Sequence, residues 1–369
     1  MKRASKKYLF AGGGTGGHLF PAIAIADEVK KLQPNAEILF IGTKNKIEAR
    51  VLPQKEYNFR TIWISGFQRF LRLENILFPI KVKVAMLQSL NIINKFKPDV
   101  VIGTGGYVCG PVLFAASLMG VKTVIHESNS FPGIVTRLLS KRMDRVFLTF
   151  EETKKWLKTT KNTEVTGNPT REIIGKISKE EGIKFFELDE NKKKVLVFGG
   201  SLGAVSINNA ILKFLDTLIQ NNVQLIWQTG EKDYDRINLM LSEKKLDNSK
   251  GIWSGKFIDK MEYAYAAADV VVCRSGATTI AELTRAGKPA ILVPYPYAAA
   301  DHQTINARTL ADADAALMVT DKDTGSKLGE MILNLVKDEN LCKEMSGKSL
   351  KLGKPDAALV IANKIIDMG

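Results

Sequence analysis

Two glycine-rich loops, each directly behind an apolar strand, set narrow limits on the fold. The first, Ala11-Gly12-Gly13-Gly14-Thr15-Gly16-Gly17-His18, follows Tyr8-Leu9-Phe10; the second, Gly199-Gly200-Ser201-Leu202-Gly203-Ala204, follows Val195-Leu196-Val197-Phe198. A strand that enters a glycine turn and then a helix opens a Rossmann-like domain, and the start of that helix offers unpaired N–H groups to an anion or a sugar hydroxyl. Two such openings in 369 residues predict an α/β protein of two Rossmann-like parallel-sheet domains with a cleft between them.

Strand-like runs alternate with helical stretches through both halves. In the first half they lie near Lys7 to Phe10, Glu37 to Ile41, Val100 to Gly103, Thr123 to His126, Arg145 to Leu148 and Thr163 to Val165. In the second they lie near Lys194 to Phe198, Gln224 to Gln228, Gly251 to Phe257, Val270 to Cys273, Ala290 to Val293 and Ala316 to Val319. Gly167-Asn168-Pro169 reads as an interdomain turn, and Lys176 to Lys194 as a charged surface segment. The expected division is 1–167, 168–350 and a terminal piece, 351–369. In that piece Ala357 to Met368 carries Leu359, Ala362, Ile365 and Ile366 at helical spacing.

Lys and Arg exceed Asp and Glu by 53 − 39 = 14, so the chain presents a positive field to phosphorylated substrates, nucleic acid or an anionic membrane surface. The three cysteines, Cys109, Cys273 and Cys342, are scattered, which argues against a disulfide framework or a zinc site and for a reducing compartment. The basic start is followed by only Tyr8-Leu9-Phe10-Ala11 before the glycines, too short for the apolar core of a signal peptide. The uncharged run Val100 to Val121 is broken by Gly103, Gly105, Gly106, Gly110 and Pro111, and reads as strand, loop and helix rather than as a membrane span.

Gly12, Gly14 and Gly17 satisfy the dinucleotide pattern, but that use also needs an acid after the second strand to hold ribose hydroxyls. Here Glu37-Ile38-Leu39-Phe40-Ile41 runs into Gly42-Thr43-Lys44, and the loop itself ends in His18. An oxidoreductase is therefore disfavoured. The three histidines, His18, His126 and His302, all lie at strand ends or helix starts, where open α/β sheets bind ligands. In the second half Arg274-Ser275-Gly276 opens a helix whose free N–H groups suit a phosphate. Glu282, about a turn and a half inside, is placed to accept from two ribose hydroxyls, and Ser201 is placed to meet the same pyrophosphate. Together they describe a nucleotide-diphosphate site, and the stretch from Arg274 to Gln303 resembles the donor motif of GT-B glycosyltransferases.

The resemblance extends over residues 8 to about 310. Gly13-Gly14-Thr15-Gly16-Gly17-His18 with Pro21-Ala22, Gly103-Thr104-Gly105-Gly106-Tyr107, His126-Glu127-Ser128-Asn129 and Gly167-Asn168-Pro169 with Arg171 come first. Gly199-Gly200-Ser201, Arg274 to Glu282, and Asp301-His302-Gln303 with Asn306-Ala307 follow, in the order found in the MurG family. The chain departs from that family at Ser128 and Leu202, where glutamine is usual, and at Gly66 to Phe70, where a glycine- and lysine-rich loop is usual.

The resemblance implies a GT-B fold and an inverting transfer of N-acetylglucosamine from UDP-N-acetylglucosamine to the C4 hydroxyl of the N-acetylmuramoyl group of lipid I, giving lipid II for peptidoglycan. It places Thr15, Gly16 and Gly17 near the donor sugar and phosphates, and Asn129 on the transferred sugar. Arg171 and Ser201 would hold donor oxygens, the Ile258 backbone the uracil, Ala277, Thr278, Thr279, Ile280, Ala281 and Glu282 the phosphates and ribose, and Gln303 the sugar hydroxyls. It also implies that the last helix docks on the first domain. A base for the acceptor hydroxyl should titrate near neutrality, which suits His18, with His126, Glu127 or Tyr107 as assistants or alternatives. No Asp-x-Asp motif interrupts either loop, so no metal site and no cofactor is implied.

Phe67 to Lys83 is apolar and basic at once. Phe70, Leu71, Ile76, Leu77 and Phe78 exceed what the next helix needs for its core, with Arg69, Arg72, Lys81 and Lys83 around them. That composition predicts contact with an anionic leaflet and a peripheral protein on the cytoplasmic face of the cell membrane. Nucleic acid is not expected, since no aromatic-basic stacking pattern is present. The rival readings are a UDP-sugar:diacylglycerol glycosyltransferase, a UDP-N-acetylglucosamine 2-epimerase, which would act without a lipid acceptor, and a nucleotide-sugar-binding regulator.

Overall fold

The computed structural model describes residues 5–66, 77–200, 202–247, 250–298 and 301–369. Phe70, Leu71, Ile76 and Ser201 lie outside the described residues. Contacts separate the chain into two units, Met1–Arg171 with Asp356–Gly369, and Glu172–Pro355. The first division falls just beyond the Gly167 turn, where Asn168 and Thr170 are still buried.

The first unit runs β1 (Lys7–Ala11), α1 (Gly16–Leu32), β2 (Glu37–Gly42), α2 (Ile47–Gln54), β3 (Asn58–Thr61), α3 (Phe78–Phe96), β4 (Val100–Gly103), α4 (Cys109–Leu118), β5 (Lys122–Glu127), α5 (Ile134–Leu139), β6 (Arg145–Leu148) and β7 (Thr163–Val165). Its sheet is parallel throughout, in the order β3-β2-β1-β4-β5-β6-β7. The central strands are apolar on both faces because helices cover both. Tyr8 and Phe10 of β1 enter one core with Leu19 and Ile23 of α1, while Leu9 and Ala11 enter the other with Val112 and Leu113 of α4.

The second unit runs α6 (Lys179–Phe185), β8 (Lys193–Phe198), α7 (Val205–Gln220), β9 (Val223–Gln228), α8 (Tyr234–Glu243), β10 (Ile252–Gly255), α9 (Met261–Ala267), β11 (Val270–Cys273), α10 (Ala277–Ala286), β12 (Ala290–Leu292), α11 (His302–Ala311), β13 (Leu317–Met318), α12 (Thr324–Lys337) and α13 (Glu339–Leu352). Its parallel strands take the equivalent order, β10-β9-β8-β11-β12-β13. The chain then returns to the first unit as α14 (Ala357–Met368), whose Ile361, Ala362 and Ile365 are buried in the β1–α1 core. Each of those isoleucines contributes about 1.5–3 kcal/mol by burial.

Two expectations change. β3 is an additional edge strand, and its residues Asn58-Phe59-Arg60-Thr61 are largely exposed, so no apolar alternation marks it. The charged stretch Lys176 to Lys194 is not merely a surface segment. Ser178 and Glu181 form a reciprocal capping box that starts α6, and Ile183 and Phe186 are buried in the core shared with α9. Such a cap is worth about 1 kcal/mol, and the apolar residues were masked by the lysines and glutamates between them.

In each sheet the strand order reverses once, between β1 and β4 in the first unit and between β8 and β11 in the second. Loops leave in opposite directions there, opening a crevice outside the carboxyl ends of the strands. Both glycine-rich loops leave from these reversal points.

Candidate functional site

In the first unit the loop after β1 delivers His18 to the first turn of α1. Its Nδ1 lies 3.3 Å from the Gly13 carbonyl oxygen and 3.2 Å from Thr15 Oγ1. A carbonyl only accepts, so Nδ1 carries the hydrogen and the Nε2 lone pair is left for other work. Burial pushes the His18 imidazole below its ordinary value, while Glu127, the Gly13 carbonyl and Glu48 oppose that shift. The ring is therefore neutral at pH 7, the form a base requires.

Close packing around this ring explains the second glycine pair. Gly105 and Gly106, in the loop after β4, have φ of +114° and +81°, which side chains rarely adopt. A Cβ on Gly105 would stand 2.4 Å from His18 Cδ2, and one on Gly106 would stand 2.5 Å from the Gly13 oxygen. The Gly-Gly-Tyr segment thus clears room for the imidazole. Tyr107 packs beside Gly14, and burial with the nearby Glu48 charge raises its hydroxyl above the ordinary phenol range. It remains a proton donor at neutral pH.

The end of β5 brings His126 and Glu127 to the same edge of the sheet. His126 is buried, with Nε2 3.2 Å from the Gly167 carbonyl, and burial pushes its pKa down to about 4. Glu127 accepts four hydrogen bonds: at Oε1 from the Asn129 amide N–H (3.0 Å) and Asn129 Nδ2 (3.1 Å), at Oε2 from the Gly133 N–H (2.9 Å) and Thr136 Oγ1 (2.6 Å). Its carboxylate organises the loop from 128 to 136 and orients Asn129. Arg171 stacks over Phe20 of α1, 5.1 Å from the ring centroid, while Thr15 is exposed and Gly16 and Gly17 open α1 beside it.

In the second unit α10 begins after Gly276, with no side-chain cap, so its first turn carries the positive end of the helix dipole. These are the N–H groups of Ala277, Thr278 and Thr279, with Ile280 and Ala281 next along the helix. Ser275 does not cap that helix. Its hydroxyl donates to the Gln303 carbonyl (2.8 Å), and its own carbonyl accepts from Asn306 Nδ2 (3.0 Å), which ties the α10 start to α11. Gln303 in turn accepts the Tyr295 N–H at 3.0 Å. Glu282 is buried and accepts from the Tyr265 hydroxyl at 3.2 Å through Oε2.

Four positioning groups escape a reading of the sequence. Gln228, at the end of β9, donates to the Gly200 carbonyl and accepts the Ile258 N–H, each at 2.9 Å, so one buried amide joins the second glycine loop to the Ile258 backbone. Arg274 pairs with Asp321 at 2.5 Å and donates to the Val293 and Pro294 carbonyls at 3.1 Å, clamping the loops after β11 and β12. Tyr265 steadies Glu282. Glu48 holds the first glycine loop, with Oε2 accepting the Gly14 N–H at 2.9 Å and Oε1 accepting from the Thr43 N–H at 2.9 Å and Thr43 Oγ1 at 2.7 Å. Arg274 stood in the sequence only as the first residue of the motif that opens α10, and Gln228 only as the polar residue that closes β9.

Comparison with known proteins places these features in context. Residues 8–148 match the glycosyltransferase family 28 N-terminal domain and residues 194–361 its C-terminal domain. A protein of Chlorobaculum parvum named UDP-N-acetylglucosamine–N-acetylmuramyl-(pentapeptide) pyrophosphoryl-undecaprenol N-acetylglucosamine transferase is 44% identical over 365 residues, covering 98% of both chains. The Bacillus subtilis protein of the same name is 42% identical over 350 residues, 94% of this chain and 95% of its own. Among solved structures, MurG of Acinetobacter baumannii superposes with a TM-score of 0.71 at 27% identity, covering 98% of this chain and 99% of its own.

Proposed function

The chain belongs to glycosyltransferase family 28 and, within it, to the MurG family, and we propose that it transfers N-acetylglucosamine from UDP-N-acetylglucosamine to lipid I. The acceptor atom is the C4 hydroxyl of the N-acetylmuramoyl group on a polyprenyl-pyrophosphate lipid, and the product is lipid II. Full-length likeness to enzymes named for this transfer carries the reading, and the His18 geometry supports it.

His18 Nε2 takes the proton of the attacking hydroxyl, since Nδ1 is committed to Gly13 and Thr15. A base of this kind contributes on the order of 10²- to 10⁴-fold. The Glu127 oxygens are spent on four donors and Tyr107 holds its proton, so these residues position rather than abstract. Attack on the face opposite UDP inverts the anomeric centre. Within the second unit the N-terminus of α10 receives the diphosphate, Glu282 the ribose, the Ile258 backbone the uracil and Gln303 sugar hydroxyls; within the first unit Asn129 and Arg171 are the donor-binding candidates. Oriented N–H dipoles stabilise the leaving charge without reorganisation, so the proposal includes no resident metal or cofactor.

The protein acts at the cytoplasmic face of the membrane as a peripheral enzyme. Among the described residues no helix is long and apolar enough to cross a membrane. On and around α3, Leu77, Ile80, Val82 and Leu87 are exposed, Leu87 by 66%, with Lys83 beside them and Phe78 half-buried. Apolar side chains flanked by lysines suit an anionic leaflet, where each basic residue adds about 1 kcal/mol.

Radiolabelled UDP-N-acetylglucosamine supplied with lipid I in vesicles should yield labelled lipid, and none when lipid I is omitted. Conversion of the nucleotide sugar without acceptor would overturn the reading in favour of an epimerase.

A further inference from the structure

We propose that Glu48 is a positioning residue for His18, acting through the single peptide plane between Gly13 and Gly14. The Gly13 carbonyl meets His18 Nδ1 at 3.3 Å, and the Gly14 N–H on the opposite side of that plane is held by Glu48 Oε2 at 2.9 Å. A trans peptide is rigid and its C=O and N–H point in opposite directions. Gripping the N–H therefore fixes where the carbonyl aims. Hydrogen bonds in series polarise one another, so the carboxylate also strengthens the carbonyl as acceptor for Nδ1–H. The arrangement is a carboxylate–histidine pair with a peptide inserted, and it selects the tautomer that leaves Nε2 unprotonated. It rests on the reading of His18 as base.

Glu48 is built for this task. It is fully buried on α2, and among the described residues it has no ion pair, only the three donors from Gly14 and Thr43. A Cβ on Gly13 or Gly42 would strike its side chain at 2.6 and 2.5 Å, so both glycines make room for it. The Gly14 N–H that a phosphate would take in a dinucleotide loop is occupied from within. This chain's first glycine loop is thereby converted from an anion-binding loop into a mount for the imidazole.

The wild-type tautomer is the first test and needs no activity. Two-dimensional ¹H–¹⁵N spectra of the ring should show His18 protonated at Nδ1 at neutral pH; protonation at Nε2 would overturn the proposal. The second test is Glu48→Gln, which keeps the volume but turns an acceptor into a donor against Gly14. Turnover should fall about 10- to 100-fold, the scale of a small misplacement of a reacting group, while UDP affinity stays within about twofold of wild type.

The acid limb of the turnover profile should also move to lower pH. The titratable groups around His18 are the carboxylates of Glu48 from α2 and Glu127 from the end of β5, with His126, also at the end of β5, and Tyr107, in the loop before α4, both uncharged at neutral pH; the substitution removes the first alone. Thr43→Val, which loosens the same carboxylate but keeps its charge and its grip on Gly14, should leave the acid limb in place. Wild-type turnover in Glu48→Gln, or equal loss in both variants with no movement of the acid limb, would refute the proposal. An inactive wild type would instead refute the transferase reading.

Discussion

Replacing Glu127 by glutamine separates a structural carboxylate from a chemical one. The wild-type side chain accepts from two groups of Asn129, from Gly133 and from Thr136. An amide keeps one acceptor atom, so two of these four bonds are lost and two donors then face an NH₂ group. Hydrogen bonds to a charged group are worth about 1.5–3 kcal/mol each, which puts the cost at about 3–6 kcal/mol. For a unit of this size 1 kcal/mol corresponds to roughly 2–4 °C, so the thermal midpoint of the first unit should fall by about 6–24 °C. Thermal unfolding by circular dichroism, followed by turnover measured well below the new midpoint, makes the comparison. Were Glu127 the base, turnover would fall on the order of 10²- to 10⁴-fold with stability little changed. A midpoint within about 1 °C of wild type alongside such a loss would refute the assignment of Glu127 as loop organiser.

Three further outcomes follow from the same geometry. His126 is held at about 4 in the folded protein against 6.5 when exposed, first by burial, with the Gly167 carbonyl opposing and His18 adding to the shift. The unfolded chain therefore binds the proton first as pH falls. The contribution is complete above pH 6.5 and is lost as pH drops through about 4, a difference of about 3 kcal/mol; urea unfolding of His126→Gln should lack this slope, and an unchanged slope would exclude His126 as its source. Gln228→Ala frees the Gly200 carbonyl and the Ile258 N–H, and should raise KM for UDP-N-acetylglucosamine about tenfold with KM for the lipid unchanged, an effect near 1.4 kcal/mol; equal changes in both would remove Gln228 from the donor side. Ile365→Ala opens a cavity under α14 and should cost about 2–4 kcal/mol in the first unit, measured as a lower midpoint; no loss would mean that α14 does not contribute to that core.

The pattern along the chain was sufficient for the alternation of strands and helices, the two glycine loops, the start of α10, the placing of His18 and His126 at strand or helix ends and that of Glu282 inside α10. Each of these is a local signal: a period of two or nearly four, a glycine at a turn, a polar residue after an apolar run. β3 and α6 were obscured because the first is solvated and the second hides two buried side chains among charges.

Partnership is another matter. Glu48 reaches Gly14 across 34 residues of chain, and Gln228 reaches Gly200 across 28 and Ile258 across 30. An acid on a helix and an amide at a strand end carry no local mark of what they will hold. Their partners are set only when parallel strands bring distant loops to one edge of a sheet. Thus the chain's order of residues specifies a doubly wound pair of units with a histidine on one glycine loop, and folding alone decides which nitrogen of that histidine is free to accept a proton. The physical reason is that periodic burial is encoded residue by residue, while a hydrogen-bonding geometry exists only between groups that the fold has brought within about 3 Å.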